Sequence, residues 1–293
     1  MKQSFTQLIA QAVQARRVLI SSFAVVAMLA AAVYVYAAVG VTVNGGANPR
    51  VLSISADNAA NSQFPVNGTF TPIGDIVILE NADNDFALDG SLILTAPTGW
   101  VFKQSGVNGS VVNALSTGNA NTNVTVNNAS VTYTATSITI PFTVNKTNQR
   151  DQVTISGLEV QSTNGGSLPN SGTVVLSATV SGGSSSVAGL PKNIASLSQT
   201  YGAARGVAFR QQPSTVNVGA AISAAPSVAV VDQFGNTVTN TNSGSISLAL
   251  SGIPTGTPIS ALISPASGAT ASLVNGLATF NNIRIDEGGN FQL

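Results

Sequence analysis

An acidic loop is the stretch of this sequence whose residue types and spacing come nearest to metal-binding chemistry. Its oxygen-bearing side chains are Asn81, Asp83, Asp85 and Asp89. Oxygen ligands at alternate positions are typical of calcium loops, so Asp83, Asp85 and Asp89 are candidate Ca²⁺ ligands. However, Phe86 stands where such loops need glycine at the sixth position, and Leu92 stands where a bidentate glutamate belongs. A polar loop between strands is therefore the favoured interpretation, and calcium is the only cofactor that the sequence suggests.

The amino-acid composition removes most catalytic chemistry. The 293 residues include no histidine and no cysteine, which excludes a Ser-His-Asp triad, a cysteine nucleophile and an ordinary zinc site. A glycosidase with paired carboxylates would have to use Glu80 and Glu159. Both glutamates lie in ordinary strand patterns. We therefore predict that the chain is not an enzyme.

Flat aromatic side chains for sugar stacking are few. After residue 37 the chain has one tryptophan, Trp100, and two tyrosines, Tyr133 and Tyr201. Trp100 directly follows a turn and precedes Val101-Phe102, so a half-buried core position is favoured over a sugar-binding one.

The elements that must position these residues have the pattern of β-strands. Residues recur at spacing two in two sets, Val228, Val230 and Asp232, and Ile246, Leu248 and Leu250. Gly235-Asn236 and Asn275-Gly276 separate such runs and suit tight turns. Residues 50–195 contain further short apolar runs and no convincing amphipathic helix. The sequence thus predicts an all-β protein of two consecutive antiparallel β-sandwich domains.

The N-terminus has the pattern of an export segment, which we predict as a hydrophobic helix. Arg16-Arg17 precede an uncharged apolar run from Val18 to Val39, and Val35-Tyr36-Ala37 offers small residues for a cleavage site. Residues 1–37 are therefore a signal peptide, which we favour, or a signal anchor that spans the membrane. Both interpretations place the rest of the chain outside the cell, at the cell surface or free in the medium. Only an uncleaved leader would contact the membrane.

The charge content fits an exported β-protein and excludes nucleic acid as a partner. Charged residues make up 8% of the chain, against about 25% in typical soluble domains. The formal net charge is zero, so there is no basic surface to attract DNA or RNA. Without cysteine, no disulfide can stabilise the chain, and apolar cores must do so.

The last ninety residues resemble the tandem Ig-like repeats of bacterial surface proteins and adhesin stalks. The positions that carry this resemblance are Gln212-Pro213-Ser214, Gly219, Asp232, Gly235-Asn236 and the block 274–280. Repeats of this kind normally close with one more strand, which would continue the pattern begun at Phe291. The resemblance therefore implies a repeat, about residues 204–293, that is truncated at its C-terminus. We accordingly expect the sequence to be a fragment of a longer chain with further repeats.

The middle of the chain resembles cohesin-like or carbohydrate-module-like sandwich domains of bacterial cell-surface proteins. The stretches that match are 96–102 and 151–160. The sequence thus predicts a linker at 38–49 after the leader, a β-sandwich domain at 50–202 and an Ig-like domain at 203–293. For this second resemblance the fold is implied but a binding function is not.

These patterns predict a non-catalytic structural or adhesive segment of an exported bacterial surface protein, with the Ig-like domains as stalk or spacer. Its partners would be an unknown surface ligand, protein or glycan, and further repeats of the same chain. Two alternatives remain: a carbohydrate-binding accessory module of a secreted polysaccharide-active enzyme, and an S-layer-type lattice protein.

Overall fold

The computed structural model describes residues 38–83, 85–104, 113–118, 123–145, 150–181, 187–251, 263 and 269–286, with the backbone alone for 113–118. Its first fourteen strands are β1 (Gly40–Val43), β2 (Arg50–Ser55), β3 (Thr71–Pro72), β4 (Ile76–Leu79), β5 (Gly90–Thr95), β6 (Trp100–Phe102), β7 (Asn113–Gly118), β8 (Val124–Val126), β9 (Thr132–Tyr133), β10 (Ser137–Val144), β11 (Asp151–Ser156), β12 (Glu159–Ser162), β13 (Ser171–Val180) and β14 (Lys192–Thr200). The remaining strands are β15 (Gly206–Gln211), β16 (Ser227–Val231), β17 (Ser245–Ser247), β18 (Thr270–Ser272) and β19 (Leu277–Thr279). Two single-turn 3₁₀ helices, Ala56–Asn58 and Asn128–Ser130, interrupt the strands.

Three sheets enclose the larger core. A seven-stranded sheet has the order β2-β14-β13-β5-β10-β8, with β9 also paired to β10. A four-stranded sheet has the order β1-β4-β11-β7, and a three-stranded sheet has the order β3-β12-β6. Every described pairing is antiparallel except that of β2 with β14, which is parallel. The predicted all-β class is confirmed.

Buried and partly exposed side chains alternate along the strands, and this alternation explains how the sheets pack against one another. On β10, Ile138, Ile140 and Phe142 are buried, while the residues between them are partly exposed. β11 has the same period, with Val153 and Ile155 buried. Because successive strand side chains point to opposite faces, these residues meet in one apolar cluster. Each fully buried side chain of this kind contributes about 1.5–3 kcal/mol of apolar burial.

The predicted linker at 38–49 is wrong in its first half. Gly40–Val43 forms β1 and pairs antiparallel with β4, and Val39 and Val43 are buried in the larger core. The physical reason is the apolar alternation of Val39, Val41 and Val43, which gives the segment one face to bury. A turn follows, with positive φ at Asn44 and Gly45.

A second apolar cluster lies further along the chain. It draws on the sheet β15-β16-β19 and on the two-stranded sheet β17-β18. Val228, Ala278 and Phe280 are buried in it, and Ile246 and Leu248 pack against it. It has no residue in common with the larger cluster. The domain limits 50–202 and 203–293 stay a prediction; β14 ends at Thr200 and β15 begins at Gly206.

The predicted turns of the second part are confirmed by their backbone. Asn275 and Gly276 both have positive φ, as a two-residue hairpin turn requires, and Val274 bridges to Leu277 around them. Gly235 also has positive φ. These turns fix the approach of the strands that flank them.

The predicted N-terminal helix, residues 1–37, lies outside the described residues. Within the part that the structure describes, no helix has the length and apolar character to cross a membrane.

Candidate functional site

Three buried carboxylates gather at the end of β4, beside the loop that the sequence singled out. Glu80 follows the last residue of β4, and Asp151 is the first residue of the neighbouring β11. Glu80, Asp85 and Asp151 are each at most 3% exposed. Burial of a carboxylate is costly unless its oxygens accept hydrogen bonds, so the partners of these oxygens decide what the cluster does.

Backbone N–H groups satisfy most of these oxygens. Glu80 Oε1 accepts from Phe86 N at 2.8 Å, and its Oε2 accepts from Asp151 N at 2.7 Å. Asp151 Oδ2 accepts from the backbone N of Asn123 at 3.0 Å and of Val124 at 2.9 Å. The two side chains thus tie β4, β11, the loop before Phe86 and the start of β8 together.

Burial raises the pKa of the Glu80 carboxyl above its ordinary value of 4.5. The hydrogen bonds from Phe86 and Asp151 stabilise the charged form and lower the pKa, but they offset only part of the desolvation. The negative charges of Asp151 and Asp85 raise the pKa further. Glu80 therefore holds its proton to a higher pH than an exposed glutamate would.

The three candidate calcium ligands are engaged separately. Asp83 lies at the surface, with Oδ1 3.6 Å from Nε of Arg150. Asp85 turns inward, and its Oδ2 accepts from Asn81 N at 2.8 Å and Ala82 N at 3.0 Å.

Asp89 Oδ1 accepts from Val144 N at 2.7 Å, which ties the loop to β10. Among the described residues, no three acidic side chains form a group that could hold a metal ion. Calcium binding by this loop stays the untested alternative to the favoured polar-loop interpretation, and Asn84 lies outside the described residues.

Asp151 is the member of the cluster that sequence reasoning missed. The signal was present, because Asp151 continues the alternation of Val153 and Ile155 toward the core. Three polar atoms of the region, Asp85 Oδ1, Asp151 Oδ1 and Asn123 Nδ2, are buried without a protein partner.

The sequence suggested two further candidate sites, the pair of glutamates and the aromatic side chains. Glu159, on β12, forms an ion pair with Lys103 (Nζ–Oε2 2.8 Å), and Glu80 lies beside a different sheet. The structure therefore does not bring Glu80 and Glu159 together as a catalytic pair. Trp100 is 0% exposed, so its predicted core position is confirmed and more complete than expected. Tyr133 packs, partly buried, against the same core.

A shallow apolar groove of about 250 Å³ lies in the second part of the chain. Its wall includes Val207 and Phe209 of β15, Val228 of β16, and Ile246 and Leu248 at β17. None of these side chains is titratable, so the groove offers shape and apolar surface without catalytic groups.

No family model matches the chain, and no curated protein matches it. Among solved structures, the chain is similar to a non-cellulosomal cohesin from the hyperthermophilic archaeon Archaeoglobus fulgidus, with 10% identity and a TM-score of 0.23 over 56% of this chain and 89% of that one. It is also similar to a variant of the major pilin subunit of Bacillus cereus, with 10% identity and a TM-score of 0.27 over 85% of this chain. That match spans 56% of the pilin chain. Scores at this level carry no argument about function.

Proposed function

We propose that the chain is a non-catalytic structural or adhesive segment of an exported bacterial surface protein, with its two β-units as stalk or spacer. The observation that carries the proposal is the use of the buried acidic side chains. Glu80, Asp85 and Asp151 accept backbone hydrogen bonds. Glu159 is paired with Lys103. Carboxylates used in this way join strands and loops of the sandwich, which is a structural use.

The composition supports the same role. The chain combines two apolar cores with few charged residues, so the polar part of its exterior is mostly uncharged. A stalk needs units that each bury a core and that associate weakly with unrelated molecules. The predicted leader at 1–37 would deliver such units to the outside of the cell.

Cell fractionation and protease treatment test the export part of the proposal. We expect the chain in the surface or extracellular fraction, and we expect protease added to intact cells to cleave it. Recovery of the protected chain in the cytoplasm would contradict export.

Loss-of-gene experiments test the structural part. Deletion should weaken cell attachment or disturb the cell surface without removing a polysaccharide-hydrolysing activity, and the purified chain should turn over no polysaccharide. Turnover that disappears in Glu80→Gln or Glu159→Gln would overturn the proposal. An ordered array formed by the full-length product would instead support the lattice alternative.

The glycan-module alternative is weakened by the burial of Trp100, because a sugar ring stacks on an exposed aromatic face. A glycan array should give no reproducible hits. A hit that is lost in Tyr133→Ala would favour the module over the stalk.

A further inference from the structure

The turn from Asp232 to Asn236, between β16 and the next part of the chain, is shaped by one buried carboxylate. Asp232 Oδ1 accepts from the backbone N of Phe234 and of Asn236, each at 2.9 Å. Its Oδ2 accepts from Asn236 Nδ2 at 2.9 Å and from Gly202 N at 2.8 Å. The first three bonds hold the turn rigid, and the fourth fastens it to the connector between the two cores.

Gln233 projects from this turn onto the surface of the larger sandwich. Its Oε1 accepts from Gln63 N at 2.8 Å and Phe64 N at 3.1 Å. Its Nε2 lies 2.5 Å from Asp57 Oδ1, 2.9 Å from Ser62 Oγ and 3.1 Å from Phe64 O. Among the described residues, the oxygen contacts only donors, and the three atoms that the nitrogen contacts can all accept. The side-chain amide of Gln233 therefore has one favourable orientation, which fixes the position of the turn on the larger sandwich.

Phe234 and Asn236 make a second contact with the same sandwich. Gly165 is buried, and a Cβ added there would lie 2.2 Å from Cε2 of Phe234. The aromatic ring thus packs directly on the glycine backbone, which no larger residue would permit. Asn236 Nδ2 donates to the carbonyl of the same Gly165 at 2.8 Å.

The connector between the two cores is short and is held from both sides. Five residues, 201–205, separate β14 from β15. Ala203 N donates to Asp57 Oδ2 at 2.7 Å, and Arg205 N donates to Val231 O at 2.8 Å. The Arg205 guanidinium lies 4.6 Å from the centroid of the Phe64 ring, a favourable cation–π distance.

We propose that the Asp232–Asn236 turn is a domain-docking site: Gln233 and Phe234 bind the 57–64 loop and Gly165 of the preceding sandwich and hold the two cores at one orientation. Neighbouring domains joined by small polar contacts normally move relative to each other. Here the Gln233 amide, the Phe234 ring and the connector 201–205 all hold the two cores against each other. The two cores therefore behave as one stiff segment. This inference goes beyond the proposed function and holds whether or not the chain is a stalk.

The partner that this turn fits is defined by its chemistry. It is a β-sandwich end that offers two adjacent backbone N–H groups, a carboxylate and hydroxyl beside them, and a glycine to receive the ring. In this chain Gln63, Phe64, Asp57, Ser62 and Gly165 supply those groups.

Spin labels can measure the stiffness directly, because the chain has no cysteine of its own. We would introduce Lys192→Cys and Ser272→Cys, one exposed position on each core, in the full chain in detergent. Pulsed electron paramagnetic resonance should give one narrow distance distribution. The double variant Gln233→Ala/Phe234→Ala should broaden it at least twofold.

Gln211→Ala is the matched control, since this exposed glutamine on β15 donates only to its neighbour Gln212 in the described contacts. It should leave the distribution narrow. Gly165→Val disrupts the packing of the Phe234 ring from the side of the larger sandwich. A broader distance distribution in this variant therefore cannot come from damage within the second core.

Broadening in either variant, with amide protons of β10 and β16 still protected from exchange, supports docking. If the double variant unfolds the second core, the distance distribution of Gly165→Val alone decides whether the two cores are docked. A broad distribution in the unaltered chain, or an unchanged narrow one in every folded variant, would overturn the proposal.

Discussion

At the scale of single residues, the buried carboxylates show how local chemistry serves the fold. Glu80 accepts two backbone hydrogen bonds inside the larger sandwich and has two carboxylates for neighbours. Its raised pKa means that, at pH values between the unfolded and the folded pKa, the folded state keeps a proton that the unfolded chain has lost. Stability and pH are therefore linked through this residue.

We expect Glu80 to make the folded state lose stability as pH rises from its ordinary pKa of 4.5 through its higher folded-state pKa. Its contribution is fully present below the unfolded pKa and declines above it. In Glu80→Gln this part of the pH dependence should vanish, even though the amide loses an acceptor oxygen. Urea unfolding at a series of pH values measures the difference. Parallel profiles for the wild type and Glu80→Gln would contradict the linkage.

Whether the acidic loop binds Ca²⁺ also depends on the contacts of single residues. We expect no heat and no change in melting temperature when Ca²⁺ is added, because Asp83, Asp85 and Asp89 each have separate partners. Isothermal titration and a thermal melt check this. Heat that is lost in Asp83→Asn would establish the calcium site instead.

At the scale of elements, strand period and turn geometry carry the fold. β10 buries every second residue, and the Asn275-Gly276 turn provides the positive φ values that a tight hairpin needs. Both features were readable from the sequence because each depends on neighbours only a few residues apart. The parallel pairing of β2 with β14 was not readable, since its partners are about 145 positions apart.

Ile140→Ala on β10 should destabilise the larger sandwich by about 3 kcal/mol, because it leaves a cavity at a fully buried position. Urea unfolding followed by the fluorescence of Trp100, the single tryptophan and a member of the same core, reports this. Thr143→Ala, exposed on the same strand, should change stability by less than about 0.5 kcal/mol. Equal losses in the two variants would contradict the assigned burial.

Gly276→Ala should weaken the second core by more than about 1 kcal/mol. Its φ is +73°, and the added Cβ would lie 2.4 Å from the carbonyl oxygen of Val238. Gly244→Ala separates backbone strain from steric clash. Its φ is also positive, but the atom nearest to an added Cβ, Leu273 Cδ1, is 4.0 Å away. Hydrogen exchange on β19 should show a larger loss of protection in Gly276→Ala than in Gly244→Ala. A larger loss in Gly244→Ala would contradict the close approach of Gly276 to the Val238 carbonyl.

At the scale of the whole molecule, the junction between the cores decides how the chain transmits force or presents a surface. The connector 201–205 is bonded to both sandwiches through Gly202 and Ala203. A connector held in this way opens rarely, so its cleavage by a protease reports the docking of the two units.

Trypsin should cut slowly after Arg205 in the wild type, although this residue is exposed. In Gln233→Ala/Phe234→Ala the cut should be several-fold faster, and in Gln211→Ala it should not change. Mass spectrometry of the fragment that begins at Gly206 gives the rates. Rapid cleavage of the wild type at this bond would count against a rigid junction.

The sequence by itself determined the all-β class, the turns at Gly235 and Asn275-Gly276, and the removal of histidine- and cysteine-dependent chemistry. Only the tertiary structure decided that residues 40–43 are a strand and not a linker, that Glu80 meets Asp151, and that Gln233 binds Asp57. The reason is the range of the interactions. Period and turn chemistry act between near neighbours in the chain, whereas the two sides of the last contact are 176 residues apart and meet only when both cores have formed.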